Sequence, residues 1–453
     1  MIANLKPYPE YKESRLSWFG LVPTHWSFRR NGGLFTQRNE TGFPDLPILE
    51  VSIRSGVKIR DLGDAARKQI IADRRKYKRT LVGDIAYNMM RMWQGAAGRV
   101  PVDGLVSPAY VVARPLPQAD SRYYELLFRT SGYQSEVNSV SRGIVSDRNR
   151  LYWEDFKQLP SPVPPPEEQS AIVRFLEYAN GRLERAIRAK RKVIALLHEQ
   201  KQAIIHRAVT RGLPAEASAQ AGLDPTVPLK PSGIPWLGDI PEHWETRRLK
   251  YLANFQSGNG ITALQIEPQG DYPVYGGNGL RGYTNRYTHD GHFALIGRQG
   301  ALCGNINYAK GKFFASEHAV VATLRPAQSV LWFGELLKVM NLNQYSQSAA
   351  QPGLAVERIK NLAAPVPPAA EQPRIVEAFQ EQTSGLTTAI TRLEREISLL
   401  REYRTRLVAD VVTGKLDVRP AARHLPASST EPEPAVAPED STDEAQLEPM
   451  NNE

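Results

Sequence analysis

WFGLVPTHW, Trp18 to Trp26, and WLGDIPEHW, Trp236 to Trp244, are two copies of one element set 218 positions apart. The chain has only seven tryptophans, so two pairs at one spacing point to duplication rather than coincidence. The likeness extends outward at the same offset: Lys12 and Ser14 match Lys230 and Ser232, and Arg29 and Arg30 match Arg247 and Arg248. A second block follows each copy, LPSPVPPPEEQSAIVRF from Leu159 and LAAPVPPAAEQPRIVEAF from Leu362. Its far end is shared as VTRGL around Thr210 and VTGKL around Thr413. A period above 200 residues is too long for a solenoid unit and indicates a duplicated domain. Residues 27–158 and 245–361 resemble each other only faintly, as in SPAYVVARP from Ser107 beside SEHAVVATLRP from Ser316. Two constant frames thus surround two variable inserts, as when two readers of different specificity are mounted on a repeated scaffold.

The 453 residues suffice for two domains with connectors. With 41% apolar and 23% charged residues the composition is that of a soluble globular protein. No run approaches the roughly 18 apolar residues of a membrane span, and MIANLKPYPEYKESR lacks the apolar core of a signal peptide, so a cytoplasmic location is expected. Cys303 stands alone, which excludes an intramolecular disulfide and a cysteine-based zinc site. The net charge of +9 is unevenly spread. From His424 onward there is no Lys or Arg, and eight acidic residues leave the rest of the chain with 57 basic against 40 acidic residues, a net of +17. Such a balance favours a polyanionic partner.

After the proline-rich boundaries the pattern turns helical. Pro164, Pro165 and Pro166 with Glu167 and Glu168 suit a helix start. Ile172, Leu176, Ala179, Leu183, Ala186, Lys190, Val193, Leu197, Gln200 and Ile204 then step by four and three. The second copy does the same through Ile375, Phe379, Gln382, Leu386, Ala389, Leu393, Glu396, Leu400, Tyr403 and Leu407. This is a coiled-coil seam, with Gly212 and Gly414 at the exits. The expected segments are a first domain over 1–165, a long helix over 166–213 and a linker over 214–231. A second domain over 232–368, a second long helix over 369–416 and an acidic, disordered, Pro-rich tail over 417–453 follow. Antiparallel pairing of the helices would relate the halves by a pseudo-twofold axis and hold the inserts for two half-sites on duplex DNA about one turn, ~34 Å, apart.

The first insert carries ARKQIIADRRKYKR, in which Arg67, Lys68, Arg74, Arg75, Lys76, Lys78 and Arg79 suit phosphate neutralisation. After the turn at Gly83 and Asp84 come Tyr87, Asn88, Arg91, Trp93 and Gln94. Arg matches guanine bidentately, and Asn or Gln matches adenine. In the second insert DYPVYGGNGLRGYTNRYTHDG reads as strand, glycine-rich loop and strand, presenting Asn278 and Arg281. Gly277, Gly279 and Gly282 spell G-x-G-x-x-G, but no helix follows. ALIGRQGALCGNINY parallels GDIAYNMMRMWQGAAG and places Arg298, Gln299 and Asn305 after a similar strand.

Catalytic constellations are hard to find in the sequence. Pro44, Asp45 and Glu50-Val51-Ser52 approach a PD...ExK nuclease signature with serine at the lysine position, and no Asn-Pro-Pro-aromatic motif or P-loop occurs. His25 and His243 read as packing or capping groups beside Trp26 and Trp244. On the residues alone three classes stay open: a DNA-reading adaptor, an enzyme that cuts or modifies DNA unaided, and a coiled-coil assembly protein without DNA.

The doubled KxSxxxWxGxxPxHW element, the doubled PVPPxxEQ block at Pro162 and Pro365, and the loops YGGNGLRGY and GDIAYNMMRMWQGA resemble the specificity subunits of type I restriction-modification systems. The likeness covers residues 7–418; the acidic tail departs from it. The resemblance implies an α/β fold in which two target-recognition domains with mixed twisted sheets are separated by two long antiparallel helices. Each domain would read one half of an interrupted DNA sequence, with Arg74, Arg75, Lys76, Tyr87, Asn88, Arg91 and Gln94 in the first. Asn278, Arg281, Arg298, Gln299 and Asn305 would serve in the second. The helices would dock two methyltransferase subunits, which hold S-adenosylmethionine and methylate adenine. Restriction and translocase subunits, where present, would use magnesium and ATP. No cofactor, metal or catalytic residue is expected in this subunit itself.

Overall fold

The structure, a computed structural model, describes residues 5–16, 18–60, 73–143, 149–224, 226–300, 302–346 and 353–426. The chain divides into two compact units, Met1–Ile187 with Ser398–Glu453, and Arg188–Ile397. Each unit therefore takes part of both long helices, which run Pro166–Arg211 and Glu371–Val412.

The first unit contains β1 (Tyr11–Glu13), β2 (Leu21–Pro23), β3 (Ser27–Arg30), β4 (Phe35–Arg38), β5 (Leu49–Ser52) and β6 (Gly56–Ile59). It continues with β7 (Lys78–Thr80), β8 (Ile85–Asn88), β9 (Ala97–Arg99), β10 (Gly104–Val106), β11 (Tyr110–Pro115) and β12 (Pro160–Val163). Its main sheet, ordered β4-β11-β8-β9, is antiparallel throughout. The turn into β8 is built by Asp84, which accepts from the Leu81 amide at 2.9 Å and from Arg38 Nε at 2.7 Å. Burial opposes the Arg38 charge, but its bonds to Asp84 and Glu40 outweigh that cost and raise its pKa.

The second unit contains β13 (Leu229–Pro231), β14 (Asp239–Pro241), β15 (Glu245–Arg248), β16 (Ala253–Ser257) and β17 (Tyr272–Gly276). It closes with β18 (Gly279–Thr284), β19 (His289–Gly297), β20 (Ile306–Ala315), β21 (Ala319–Leu324) and β22 (Ala363–Val366). The sheet order is β16-β21-β19-β20-β17-β18, with β17 parallel to β20 and all other neighbours antiparallel. The mixed sheet expected of both inserts is thus found in the second, whereas the main sheet of the first is purely antiparallel. Even so, β16, β21, β19 and β20 repeat the order of β4, β11, β8 and β9. Faint sequence likeness conceals one topology, because a buried strand needs apolar residues at given positions rather than particular ones.

The constant blocks hold each unit together in the same way. β3 pairs with β12 and β15 with β22, so the first block is hydrogen-bonded to the second within each copy. Ser14 and Ser232 both accept from the amide two residues on, at 3.1 Å, and Gly20 and Gly238 both adopt positive φ, near 72° and 74°. Trp26 and Trp244 are fully buried and donate from Nε1 to Glu168 and Glu371, at 3.0 and 3.1 Å. His25 and His243 do not merely pack. Their Nε2 atoms lie 2.7 and 2.8 Å from the second oxygens of the same two carboxylates. The neighbouring Gln169 and Gln372 each accept a backbone N–H at 2.9 Å, from Asp120 and Ser329. The EQ pair of the repeat is therefore a clamp for its HW pair and for a following helix start.

In each unit the start of one long helix meets the end of the other. Ile172, Leu176 and Ala179 share a core with Leu407, Val411 and Val412, and Ile375, Val376 and Phe379 share one with Ile205, Ala208 and Val209. Both helix portions run antiparallel within the second unit, where Lys190 Nζ is 2.5 Å from Glu396 and Lys201 bonds Thr387 at 2.9 Å. In the first unit Arg404 donates to Glu184. The seam departs from the strict heptad. Ile187 is buried where Ala186 was expected, Val193 is 44% exposed, and Thr383, Ile390 and Ile397 are buried in place of Gln382, Ala389 and Glu396. A straight helix of 3.6 residues per turn drifts off a 3.5 repeat, and one extra four-residue step restores the facing side.

Two segment boundaries are corrected. The expected linker over 214–231 holds a helix, Ala215–Gln220, and β13. The expected tail begins late, because Val418 is buried, Arg419–Arg423 is helical and Arg174 donates to Leu425 O at 2.7 Å. The remainder of the acidic tail, 427–453, lies outside the described residues. Among the described residues no helix is long and apolar enough to cross a membrane.

Candidate nucleic-acid interface

Residues 89–96 join β8 to β9 in the first unit, and 298–305 join β19 to β20 in the second, at matching places in the shared topology. Such loops on a rigid sheet are where recognition side chains belong.

In the first unit Asn88 Oδ1 accepts from the Met90 amide at 3.0 Å, the Arg91 amide bonds Asn88 O at 3.1 Å, and Ala96 closes the loop on Arg91 O at 3.0 Å. Trp93 turns its indole back to Met90 O at 3.0 Å. Gly95 has φ near 89°, and a Cβ there would stand 2.5 Å from Gln134 Nε2, so the turn needs glycine. Asn88, Arg91 and Gln94 are all half-buried on this loop. Tyr87 is not with them. It is fully buried on β8 between Val111 and Ala97, its ring 5.0 Å from Phe156, and burial pushes its hydroxyl pKa well up. Alternation along the strand sends it to the core while its neighbour Asn88 reaches the rim.

The basic run is largely committed to the protein. Arg74 donates to Leu46 O at 2.6 Å, Arg75 pairs with Asp73 at 2.9 Å, Lys78 donates to Tyr110 O at 2.7 Å and Arg79 pairs with Glu40 at 3.2 Å. Burial lowers the Lys78 pKa. Lys76 is exposed; its amide donates to Asp73 O at 3.1 Å, and its side chain makes no hydrogen bond or ion pair among the described residues. Arg67 and Lys68 lie outside the described residues.

In the second unit the β17–β18 hairpin, the β19–β20 loop and the β20–β21 turn converge. A Cβ on Gly277 would meet Gln299 O at 3.3 Å and His318 O at 3.2 Å, which shows how closely the three loops approach. Asn305 Nδ2 donates to Asn278 Oδ1 at 3.0 Å. Gln299 Oε1 lies 2.9 Å from His318 Nδ1, and His318 Nε2 is 3.2 Å from Glu317. Arg298 is half-buried and donates to Ser257 at 3.3 Å. Arg281 is exposed and folds over Gly276. All five residues expected in this half thus belong to one end of the sheet. His318, Glu317 and Ser257 were missed; the polar turn Ser316-Glu317-His318 between two apolar strands was the available signal. Among the described residues no group of His, Cys, Asp and Glu is arranged to hold a metal ion.

Residues 241–399 match the family model for the type I restriction modification DNA specificity domain. The type I restriction enzyme EcoprrI specificity subunit of Escherichia coli is 40% identical over 166 residues, 36% of this chain and 41% of that one. A putative type I restriction enzyme specificity subunit of Haemophilus influenzae is 29% identical over 122 residues, 26% of this chain and 32% of that one. The chain therefore spans less than half the length of these curated relatives. A solved chain from work on complex assembly and conformational transition of the type I R-M system has a TM-score of 0.61 at 16% identity. It covers 87% of this chain and 99% of its own, and so shares the fold.

Proposed function

We propose that the chain is a type I restriction-modification specificity subunit, as the match of residues 241–399 and its 40% identical relative support, and that it is the non-catalytic component that reads an interrupted DNA target in two halves. Each unit serves one half-site through the loops at its sheet end. The two long helices act as an antiparallel coiled coil that separates the readers and docks two methyltransferase subunits, with restriction and translocase subunits as further partners. S-adenosylmethionine is then a cofactor of the methyltransferase, magnesium and ATP of the restriction partner, and the assembly works in the cytoplasm.

The observation that carries this reading is duplication of the build without duplication of the tips. The HW-to-Glu frame and the four-strand order recur, while Asn88, Arg91 and Gln94 in one unit give way to Asn278, Arg281, Gln299 and Asn305 in the other. Like bodies with unlike tips suit two different half-sites, and a twofold scaffold suits one identical enzyme on each strand. The test is to co-express the chain with its methyltransferase and sequence the methylated adenines. Two specified blocks with a fixed unspecified gap are expected. A single contiguous block, or methylation by the purified chain alone, overturns the proposal.

A further inference from the structure

We infer that the tip of the second unit reads guanine through the N7 and O6 acceptors of its major-groove edge, using Asn278 and Arg281 as donors; this rests on the DNA-reading role proposed above. The argument turns on which ends of the tip's polar side chains are already in use. Asn305 is oriented by two contacts: its Oδ1 accepts the Ile306 amide at 3.1 Å and its Nδ2 donates to Asn278 Oδ1 at 3.0 Å. That contact uses the oxygen of Asn278 and leaves its NH2 group facing out from an exposed position. Gln299 is anchored beside it: His318 Nε2 lies 3.2 Å from Glu317 and its Nδ1 2.9 Å from the amide of exposed Gln299. Arg281 adds a guanidinium with no partner among the described residues, lying across Gly276, where any Cβ would stand 2.4 Å from its Cδ.

The uncommitted ends of Asn278 and Arg281 are therefore both donors. Cytosine presents an amino donor in the major groove, and adenine places its amino donor beside N7; guanine alone offers two adjacent acceptors. A donor facing another donor leaves both unpaired, which is what rejects the wrong base. Asn305 acts here as a positioning residue.

The test uses the full chain, with binding to its recognition sequence measured by anisotropy against competitor DNA. Each guanine of the second half-site is replaced in turn by 7-deazaguanine, which loses N7, or by inosine, which keeps N7 and O6. One 7-deazaguanine position is expected to weaken binding about tenfold while inosine there stays within about twofold. Asn278→Asp and Arg281→Ala should each remove that difference while discrimination at the first half-site is kept, which reports a folded chain. If no 7-deazaguanine position matters while base-pair swaps in that half still weaken binding, the donor assignment is wrong and the reading role stands. If swaps in that half have no effect, the second unit is not a reader and both proposals fall.

Discussion

Glu168→Ala is expected to destabilise the protein more than Glu371→Ala, although the two glutamates occupy the same place in the repeat. Glu168, 4% exposed, receives three donors: the Tyr8 hydroxyl at 2.5 Å, the Trp26 indole at 3.0 Å and the His25 ring at 2.7 Å. Glu371 receives two, from Trp244 at 3.1 Å and His243 at 2.8 Å. The residue matching Tyr8 at the 218 offset is Thr226, whose hydroxyl goes to Asp224. A hydrogen bond to a charged group contributes about 1.5–3 kcal/mol, and removing a buried partner strands the donors it served. We therefore expect a loss of about 4–5 kcal/mol for Glu168→Ala and about 3 kcal/mol for Glu371→Ala. At about 2–4 °C per kcal/mol for units of this size, calorimetry of the full chain should show midpoints lowered by roughly 8–20 °C and 6–12 °C. The decisive control is Tyr8→Phe, which should cost about 1.5 kcal/mol alone and almost nothing in the Glu168→Ala background. Equal losses for the two glutamates with Tyr8→Phe silent would refute the third donor. No loss from either would refute the clamp itself.

The helix exits differ in a second way. Gly414 and Gly212 both have positive φ, but a Cβ on Gly414 would meet Pro23 at 2.6 Å while one on Gly212 meets nothing closer than 3.5 Å. Gly212→Ala should cost about 1–2 kcal/mol of backbone strain, and Gly414→Ala about 1–3 kcal/mol more from overpacking, both measurable by urea denaturation. His206 and His289 are partly buried, and burial lowers both pKa values below the ordinary 6.5. Below 6.5 the unfolded chain takes up protons that the folded rings resist, so stability is full above that value and falls as the pH drops through the lowered pKa. His289→Phe, which keeps the stack on Phe313, should flatten the decline of the melting midpoint between about pH 6.5 and 5; an unchanged slope would discount this ring. Arg91→Ala should relax reading of the first half-site by about 1–3 kcal/mol per affected base and leave the second intact, as scored by methylation of substrates varied one half at a time.

How far the residues alone reach is visible element by element. The duplication, the two long helices, their glycine exits and the hairpin around Asn278 are local or periodic signals, and each stands where expected. Asn278, Arg298 and Gln299 follow strands whose apolar runs are plain, whereas Arg281 lies within β18 and Asn305 just before β20. Tyr87 was misplaced because one strand position either way exchanges core for rim, and sequence does not display register. The heptad was carried past its drift, and residues 417–426 were grouped with the acidic tail by composition alone.

The sequence by itself determined that something is built twice, since a repeated run of residues must meet the same local physics at both places. Only the tertiary structure decided what the repetition is for. A tryptophan and a histidine find their glutamate more than 120 positions along the chain, and the free end of Asn278 is known only once Asn305 has taken the other. Hydrogen bonding is a property of pairs, and the pairs are made when the chain closes on itself.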